Sequence, residues 1–212
     1  MSAPLYERYR PTSLADVIGQ PKAVKRIQTV GNPGGKSYWI SGASGTGKTT
    51  LAEIIAREIA DDWFITTITG RQLGVKTIRE IEQVRRLCAW GKGGRAWIIN
   101  EAHGLSEPTI ELLLDLLEPI PASCTFIFTT TRDGQAELFE NHIDAHPLLS
   151  RCVVLELTSQ GLAKAAAPML RTGAQAEGLD GQPPANYIQL MHRCHNNIRE
   201  AWNEIQSGAM KA

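Results

Sequence analysis

Residues 38–49 read Tyr38-Trp39-Ile40-Ser41-Gly42-Ala43-Ser44-Gly45-Thr46-Gly47-Lys48-Thr49. A short apolar run enters a glycine-rich turn, and a helical pattern opens near Lys48. The turn fits G-x-x-x-x-G-K-[ST], a composition that suits phosphate binding. Glycines let backbone N–H groups turn inward around phosphate oxygens, and the following helix presents its positive N-terminus. In such a loop Gly42, Ala43, Ser44, Gly45, Thr46 and Gly47 cradle the phosphates. Lys48 places a point charge on the β and γ groups, the Thr49 hydroxyl ligates Mg²⁺, and Thr50 completes the nucleotide-contacting run. A nucleoside phosphate and Mg²⁺ are the expected ligands, and the loop alone could serve a kinase, a GTPase or an ATPase.

Working outward, apolar runs predict strands at Tyr38–Ser41, Trp63–Ile68, Ala96–Ile99, Thr125–Thr130 and Val153–Leu157. Between them, Leu51, Ile54, Ile55 and Ile59 keep the spacing of one helix face. So do Ile78, Ile81, Val84 and Leu87, and then Ile110, Leu113, Leu114 and Leu117. Strands separated by helices imply parallel βαβ units, hence an α/β fold with a five-stranded parallel sheet sandwiched by helices. Trp39, Trp63 and Trp97 fall in strands and are read as core. After Leu157 no strand is evident, and about three helices follow, broken at Gly178-Leu179-Asp180-Gly181 and Pro183-Pro184. The expected division is 1–158 for the nucleotide-binding domain and 159–212 for a small helical lid domain.

The chain has 212 residues, with 22 Lys+Arg against 22 Asp+Glu and 42% hydrophobic residues. That hydrophobic content at zero net charge excludes disorder. No stretch approaches the ~18 consecutive apolar residues of a membrane span, and the charged N-terminus is no secretory signal. A cytoplasmic or nucleoid-associated location is expected, or the host cytoplasm if the protein is viral, with no membrane partner. The four cysteines form no CxxC pair, which argues against zinc and for reduced thiols; Cys152 reads as a small buried residue. Charge is uneven: seven basic residues and two acidic ones lie between Arg71 and Arg95, and nine acidic ones and one basic one between Glu101 and Asp144. Such asymmetry marks either a phosphate-facing surface or solvated helix faces of opposite sign.

Ala96–Ile99 ends in Asn100-Glu101-Ala102-His103. A carboxylate at the end of a buried strand beside a phosphate loop suits a base that polarises water for attack on the γ-phosphate.

Together these segments resemble a known family. The run ERYRPTSLADVIGQ from Glu7 to Gln20 resembles the N-terminal signature of AAA+ clamp-loader ATPase subunits, those of replication factor C and of the bacterial gamma/tau complex. The phosphate loop, Asn100–His103 and Phe126–Thr131 fit the same template. Leu149-Ser150-Arg151-Cys152 matches the family's S-R-C motif, and Asn197–Gln206 resembles its lid segment. Six boxes occur in order over nearly the whole chain. The resemblance implies that Val17 and Ile18 border the adenine and that Lys48 and Thr49 hold phosphate and Mg²⁺. It implies that Glu101 is the catalytic base and that Thr131 is a first sensor positioning water or reading the γ-phosphate. Arg199 becomes a second sensor contacting phosphate from the lid, and Arg151 an arginine finger completing a neighbouring subunit's site. Lys76 and Arg79, in the stretch resembling a DNA-facing helix, become contacts to the phosphate backbone of primed or double-stranded DNA.

Three departures from the family pattern stand out. Asn100 replaces the usual Asp at the metal position, which implies weaker metal binding, slower turnover or a subunit that binds ATP without hydrolysing it. The link Asp133–His146 is long and acidic, either a partner surface or an idle loop. The chain ends about six residues after the lid segment with no collar, either assembling without one or belonging to a longer chain. The implied function is an ATPase coupling ATP binding and hydrolysis to gripping DNA and a sliding clamp, with other AAA+ subunits as partners. The alternatives are another DNA-directed motor and a nucleotide-gated scaffold.

Overall fold

A computed structural model describes residues 3–87, 89–141 and 145–211. The five strands are β1 (Lys36–Ser41), β2 (Ile65–Thr69), β3 (Arg95–Asn100), β4 (Cys124–Thr130) and β5 (Cys152–Glu156). They form one parallel sheet in the order β2-β3-β4-β1-β5. Side chains alternate across it, as strand geometry requires. Tyr38, Ile40, Ala96, Ile98 and Ile127 meet α2 (Pro21–Val30) and α3 (Lys48–Arg57) on one face. On the other face Trp39, Trp97, Phe126 and Phe128 meet α4 (Val75–Val84), α5 (Glu107–Leu116), α6 (Arg132–Asn141) and α7 (Ala145–Ser150). Both strand tryptophans stack on phenylalanines of β4: Trp39 on Phe128 at 5.6 Å and Trp97 on Phe126 at 4.9 Å between ring centroids.

A separate hydrophobic cluster joins α8 (Leu162–Ala176), α9 (Pro184–Arg193) and α10 (Ile198–Gln206) around Leu170, Tyr187 and Trp202. Leu5, from the short N-terminal helix α1 (Leu5–Arg8), is buried in this cluster rather than against the sheet. The N-terminal segment thus straps the two bodies together. Arg8 holds Glu177 through two hydrogen bonds of 2.8 and 2.7 Å. The Tyr9 ring stacks on Trp202, and Arg10 reaches Glu53 on α3 at 2.6 Å.

The Tyr9 hydroxyl and then the Arg8 guanidinium hold the Glu177 carboxyl below the ordinary carboxylate range. A carboxylate whose pKa is depressed by folding adds stability above its unfolded pKa, about 4.3, and loses it as pH falls through the folded value. The difference in thermal midpoint between the native chain and Glu177→Gln is therefore expected to shrink below about pH 4. A difference that stays constant from neutral to acid pH would overturn this account.

Several expectations need correction. Trp63 is 94% exposed, not core. It lies in a 3₁₀ turn, Asp62–Phe64, that precedes β2. There the chain turns Phe64 inward against the core, under the Arg95 guanidinium, and leaves Trp63 pointing out. Leu87, assigned to a helix face, is 56% exposed because α4 ends at Val84. Strand β5 starts at Cys152, one residue earlier than expected. Within the basic Arg71–Arg95 stretch, Arg85 is buried and donates to the Leu116 and Pro119 carbonyls, so its charge faces no ligand. The link Asp133–His146 falls largely on α6 and α7; residues 142–144 within it lie outside the described residues. Cys152 is half-buried, and burial pushes its thiol up to about 12, so it is a poor nucleophile.

Candidate nucleotide site

In a parallel sheet the loops at the C-terminal ends of the strands converge, and ligands bind there. Three such ends meet here. Ser41 of β1 pairs with Thr130 of β4, and Ile99 of β3 pairs with Phe128 of β4. The glycine loop therefore leaves the sheet beside Asn100–Glu101 and Thr129–Thr131. α3 starts at Lys48, and Gly47, its N-cap, adopts φ 98, a left-handed conformation open to glycine at little cost. Gly45 has φ 73, and a Cβ on it would collide with the Asn197 side chain of the lid. Both glycines are thus required, one by conformation and the other by the lid's approach as well.

A cleft of about 300 Å³ opens between the sheet and the helical cluster. Ser44, Gly45, Thr46, Gly47, Lys48, Thr49 and Thr50 form its floor, with Asn100 and Glu101 at one side. Val17 and Ile18 border it, Val17 packed on the sheet cluster and Ile18 on the helical one. Arg199 enters from the first turn of α10, its guanidinium 5.6 Å from the Tyr6 ring centroid. Gly42 and Ala43 lie beneath the loop, and their carbonyls each accept a 2.8 Å hydrogen bond from Lys48 Nζ. Burial pushes the Lys48 ammonium below its ordinary pKa, with Glu101 opposing and Arg199 reinforcing that shift.

The Asn100 amide oxygen accepts a 2.7 Å hydrogen bond from the Thr129 hydroxyl. Glu101 follows with φ 54 and ψ 49, a conformation that costs a residue with a Cβ about 1–2 kcal/mol. Strain of this size persists where the surroundings over-determine it, and such positions concentrate at functional sites. Gly70 makes room: a Cβ there would come within 2.5 Å of the Glu101 carbonyl oxygen. Thr131 does not line the cleft; its hydroxyl accepts from Gly134 N at 3.0 Å and caps α6.

The donor set fits a nucleoside triphosphate with a divalent cation. Inward-turned amides, a helix N-terminus and two cations suit the phosphates. A threonine hydroxyl and an amide oxygen suit an oxygen-seeking ion.

The remaining expected residues lie elsewhere. Lys76 and Arg79 are exposed, one turn apart on α4; Lys76 lies 3.9 Å from Glu80. Arg151 precedes β5, at the opposite end of the sheet. Cys152 pairs with Ser37 near the start of β1, so about six residues of strand rise, roughly 20 Å, separate Arg151 from the glycine loop. Its guanidinium donates to Glu118 at 2.8 and 3.1 Å and to the Pro147 carbonyl at 3.2 Å.

The ATPase family associated with various cellular activities (AAA) matches residues 38–153, more than half of the chain. The chain belongs to this AAA family. Among curated relatives, it is 28% identical over 209 residues to the replication factor C small subunit of Halobacterium salinarum, covering 96% of this chain and 62% of that one. It is 29% identical over 196 residues to DNA polymerase III subunit gamma/tau of Mycoplasma pneumoniae, covering 77% of this chain and 27% of that one. The chain thus spans about 62% of the length of the replication factor C relatives. Among solved structures, a point mutant of Thermotoga maritima RuvB superposes with a TM-score of 0.73 at 24% identity, over 94% of this chain and 65% of that one. That likeness concerns the fold.

For this AAA chain the motif reading missed part of the cleft wall. Tyr6, Tyr9, Met169 and Trp202 give it an aromatic and apolar side, and Thr129 reaches it from β4. Tyr9 lies within the N-terminal box and Trp202 within the lid segment, whereas Tyr6 and Met169 belong to no motif. Gln20, the last residue of the N-terminal box, has a role that its sequence position does not disclose. It is buried and donates to the Thr46 and Thr158 carbonyls while accepting from Thr158 N, so it ties the glycine loop to the junction between the two bodies.

Proposed function

We propose that this chain is an ATP-hydrolysing clamp-loader subunit, in which ATP closes the lid on the sheet domain and hydrolysis releases the grip. The observation that carries the reading is the division of the charged groups. Lys48, Glu101 and Arg199 share one cleft, while Arg151 sits at the far end of the sheet, out of reach of its own nucleotide. A site built this way is incomplete until another subunit supplies its arginine.

The geometry supports the following roles. Lys48 and the loop amides hold the β and γ phosphates, and Arg199 adds charge from the lid. The aromatic side at Tyr9 and Trp202, with Val17 and Ile18, faces the base. Glu101 accepts the proton of the attacking water. Mg²⁺, when bound at the Thr49 hydroxyl and the Asn100 amide oxygen, supplies charge neutralisation between the phosphates. Thr129, rather than Thr131, meets Asn100 directly, while Thr131 fixes the start of α6 next to the same loops. The division near Thr158 acts as the hinge between the AAA domain and the lid.

The proposed partners are further AAA+ subunits, a sliding clamp and DNA. Trp63 and Trp90, 94% and 86% exposed, are the exposed aromatic side chains assigned to the clamp. Lys76 and Arg79 are assigned to the DNA backbone. Each phosphate contact contributes about 0.9 to the slope of log affinity against log salt. Lys76→Ala with Arg79→Ala is therefore expected to flatten the slope for duplex DNA by nearly 2. An unchanged slope removes both residues from the DNA contact.

The test of the function is the ATPase rate with and without primer–template DNA and clamp. Stimulation by both supports the reading. Retained ATP binding with a flat, near-zero rate would make this a nucleotide-gated scaffold, as Asn100 in place of the usual Asp would favour. DNA stimulation that ignores the clamp would indicate another DNA-directed motor.

A further inference from the structure

We infer that His103 is a positioning residue that holds the Glu101 carboxylate at the mouth of the cleft; the inference rests on the reading of Glu101 as base. The Glu101 side chain is 61% exposed, and its backbone makes a left-handed turn between the end of β3 and a 3₁₀ turn, Ala102–Gly104. Burial therefore does little to restrict its carboxylate. His103 supplies the constraint. Its Nε2 is 3.2 Å from Glu101 Oε2, and its Nδ1 is 3.3 Å from the Thr130 hydroxyl at the end of β4.

The ring is itself wedged. A Cβ on Gly134, in the first turn of α6, would stand 2.7 Å from the imidazole, so the ring packs directly on that glycine. Gly134 N in turn donates to Thr131 Oγ1. The imidazole thus bridges the loop after β3 and the loop after β4, which leave the same edge of the sheet as the glycine loop. Pinning one carboxylate oxygen leaves Oε1 as the oxygen available to accept a water proton. For Nε2 to donate to Oε2 it must carry the ring hydrogen, which leaves Nδ1 as an acceptor facing the Thr130 hydroxyl, whose single hydrogen also has the Thr131 carbonyl within reach at 3.2 Å.

Two isosteres separate this role from plain packing. A glutamine amide nitrogen reaches about as far as Nε2, whereas an asparagine amide reaches only as far as Nδ1. His103→Ala is expected to lower kcat about tenfold, a part of the 10²–10⁴-fold a general base contributes, with KM for ATP within about twofold. His103→Gln should recover most of the rate and His103→Asn should not. Equal losses in the Gln and Asn variants, or a rise in KM instead of a fall in kcat, would overturn the inference.

A second readout needs no turnover. Long-range ¹H–¹⁵N correlation spectra of the full chain at about pH 8 should show His103 as the Nε2–H tautomer. That signal should change in Glu101→Ala. The Nδ1–H tautomer, or a signal indifferent to Glu101→Ala, would sink the proposal. Failure of the underlying reading looks different: Glu101→Gln would then keep native turnover. Loss of turnover in Glu101→Gln beside an unaffected His103→Ala would reject the positioning role alone.

Discussion

Glu101→Gln is expected to lower ATP turnover by about 10²–10⁴-fold while leaving nucleotide affinity near its native value. The amide keeps the size of the carboxylate and its hydrogen bond to His103 but cannot take a proton from water. Affinity is spared because its sources lie elsewhere, in the glycine loop, Lys48, Arg199 and the aromatic wall at Tyr9 and Trp202. The strained backbone at Glu101, with Gly70 making space for it, is retained by the substitution. Single-turnover ATPase assays beside equilibrium binding of a fluorescent ATP analogue check both halves. Native turnover in the variant would remove Glu101 from the chemistry. Lost affinity would make it a binding residue instead.

Arg151→Ala is expected to have an effect of similar or larger size, but only in the assembled state. An arginine finger contributes about 10³–10⁵-fold by neutralising charge that develops in the transition state. Arg151 cannot do so for its own nucleotide from the opposite end of the sheet. ATP binding by the isolated chain should therefore be unchanged. Folding should be nearly unchanged as well, since the Arg151–Glu118 pair is partly solvated, at 31% and 69% exposure, and such pairs contribute at most about 1 kcal/mol. Mixing Arg151→Ala with Lys48→Ala subunits discriminates further. The first keeps an intact loop and the second an intact finger, so mixed assemblies recover activity that neither variant has alone. Absence of recovery, or full activity of Arg151→Ala by itself, would contradict a finger acting between subunits.

Much of this architecture was legible in the chain because its signals are local. The glycine loop announces a strand before it and a helix after it, since Gly45 and Gly47 serve backbone conformations that few other residues adopt. Apolar runs of four to six residues produced the sheet because both of its faces are covered. Local patterning misled where the chain leaves regular structure. Trp63 opens an apolar run but sits in the middle of a 3₁₀ turn, and Leu87 continues a helical spacing beyond the end of its helix. Arg85 carries the same charge as Arg79, yet one is buried against carbonyls and the other exposed, because α5 covers only one side of α4.

The sequence by itself determined the parallel sheet, the phosphate loop and the identities of the charged groups, all of which follow from residue type and short spacing. Tertiary structure decided which of those groups lie together. Tyr9, Thr129, Met169 and Trp202 come from segments far apart in the chain and reach one cleft only when the lid cluster packs beside the sheet. His103 meets Glu101 and Thr130 only because β3 and β4 are parallel neighbours ending at the same level. Arg151 is set apart from the cleft for the same physical reason. Parallel pairing brings all strand starts to one edge of the sheet and all strand ends to the other, and Arg151 precedes its strand whereas the glycine loop follows its own.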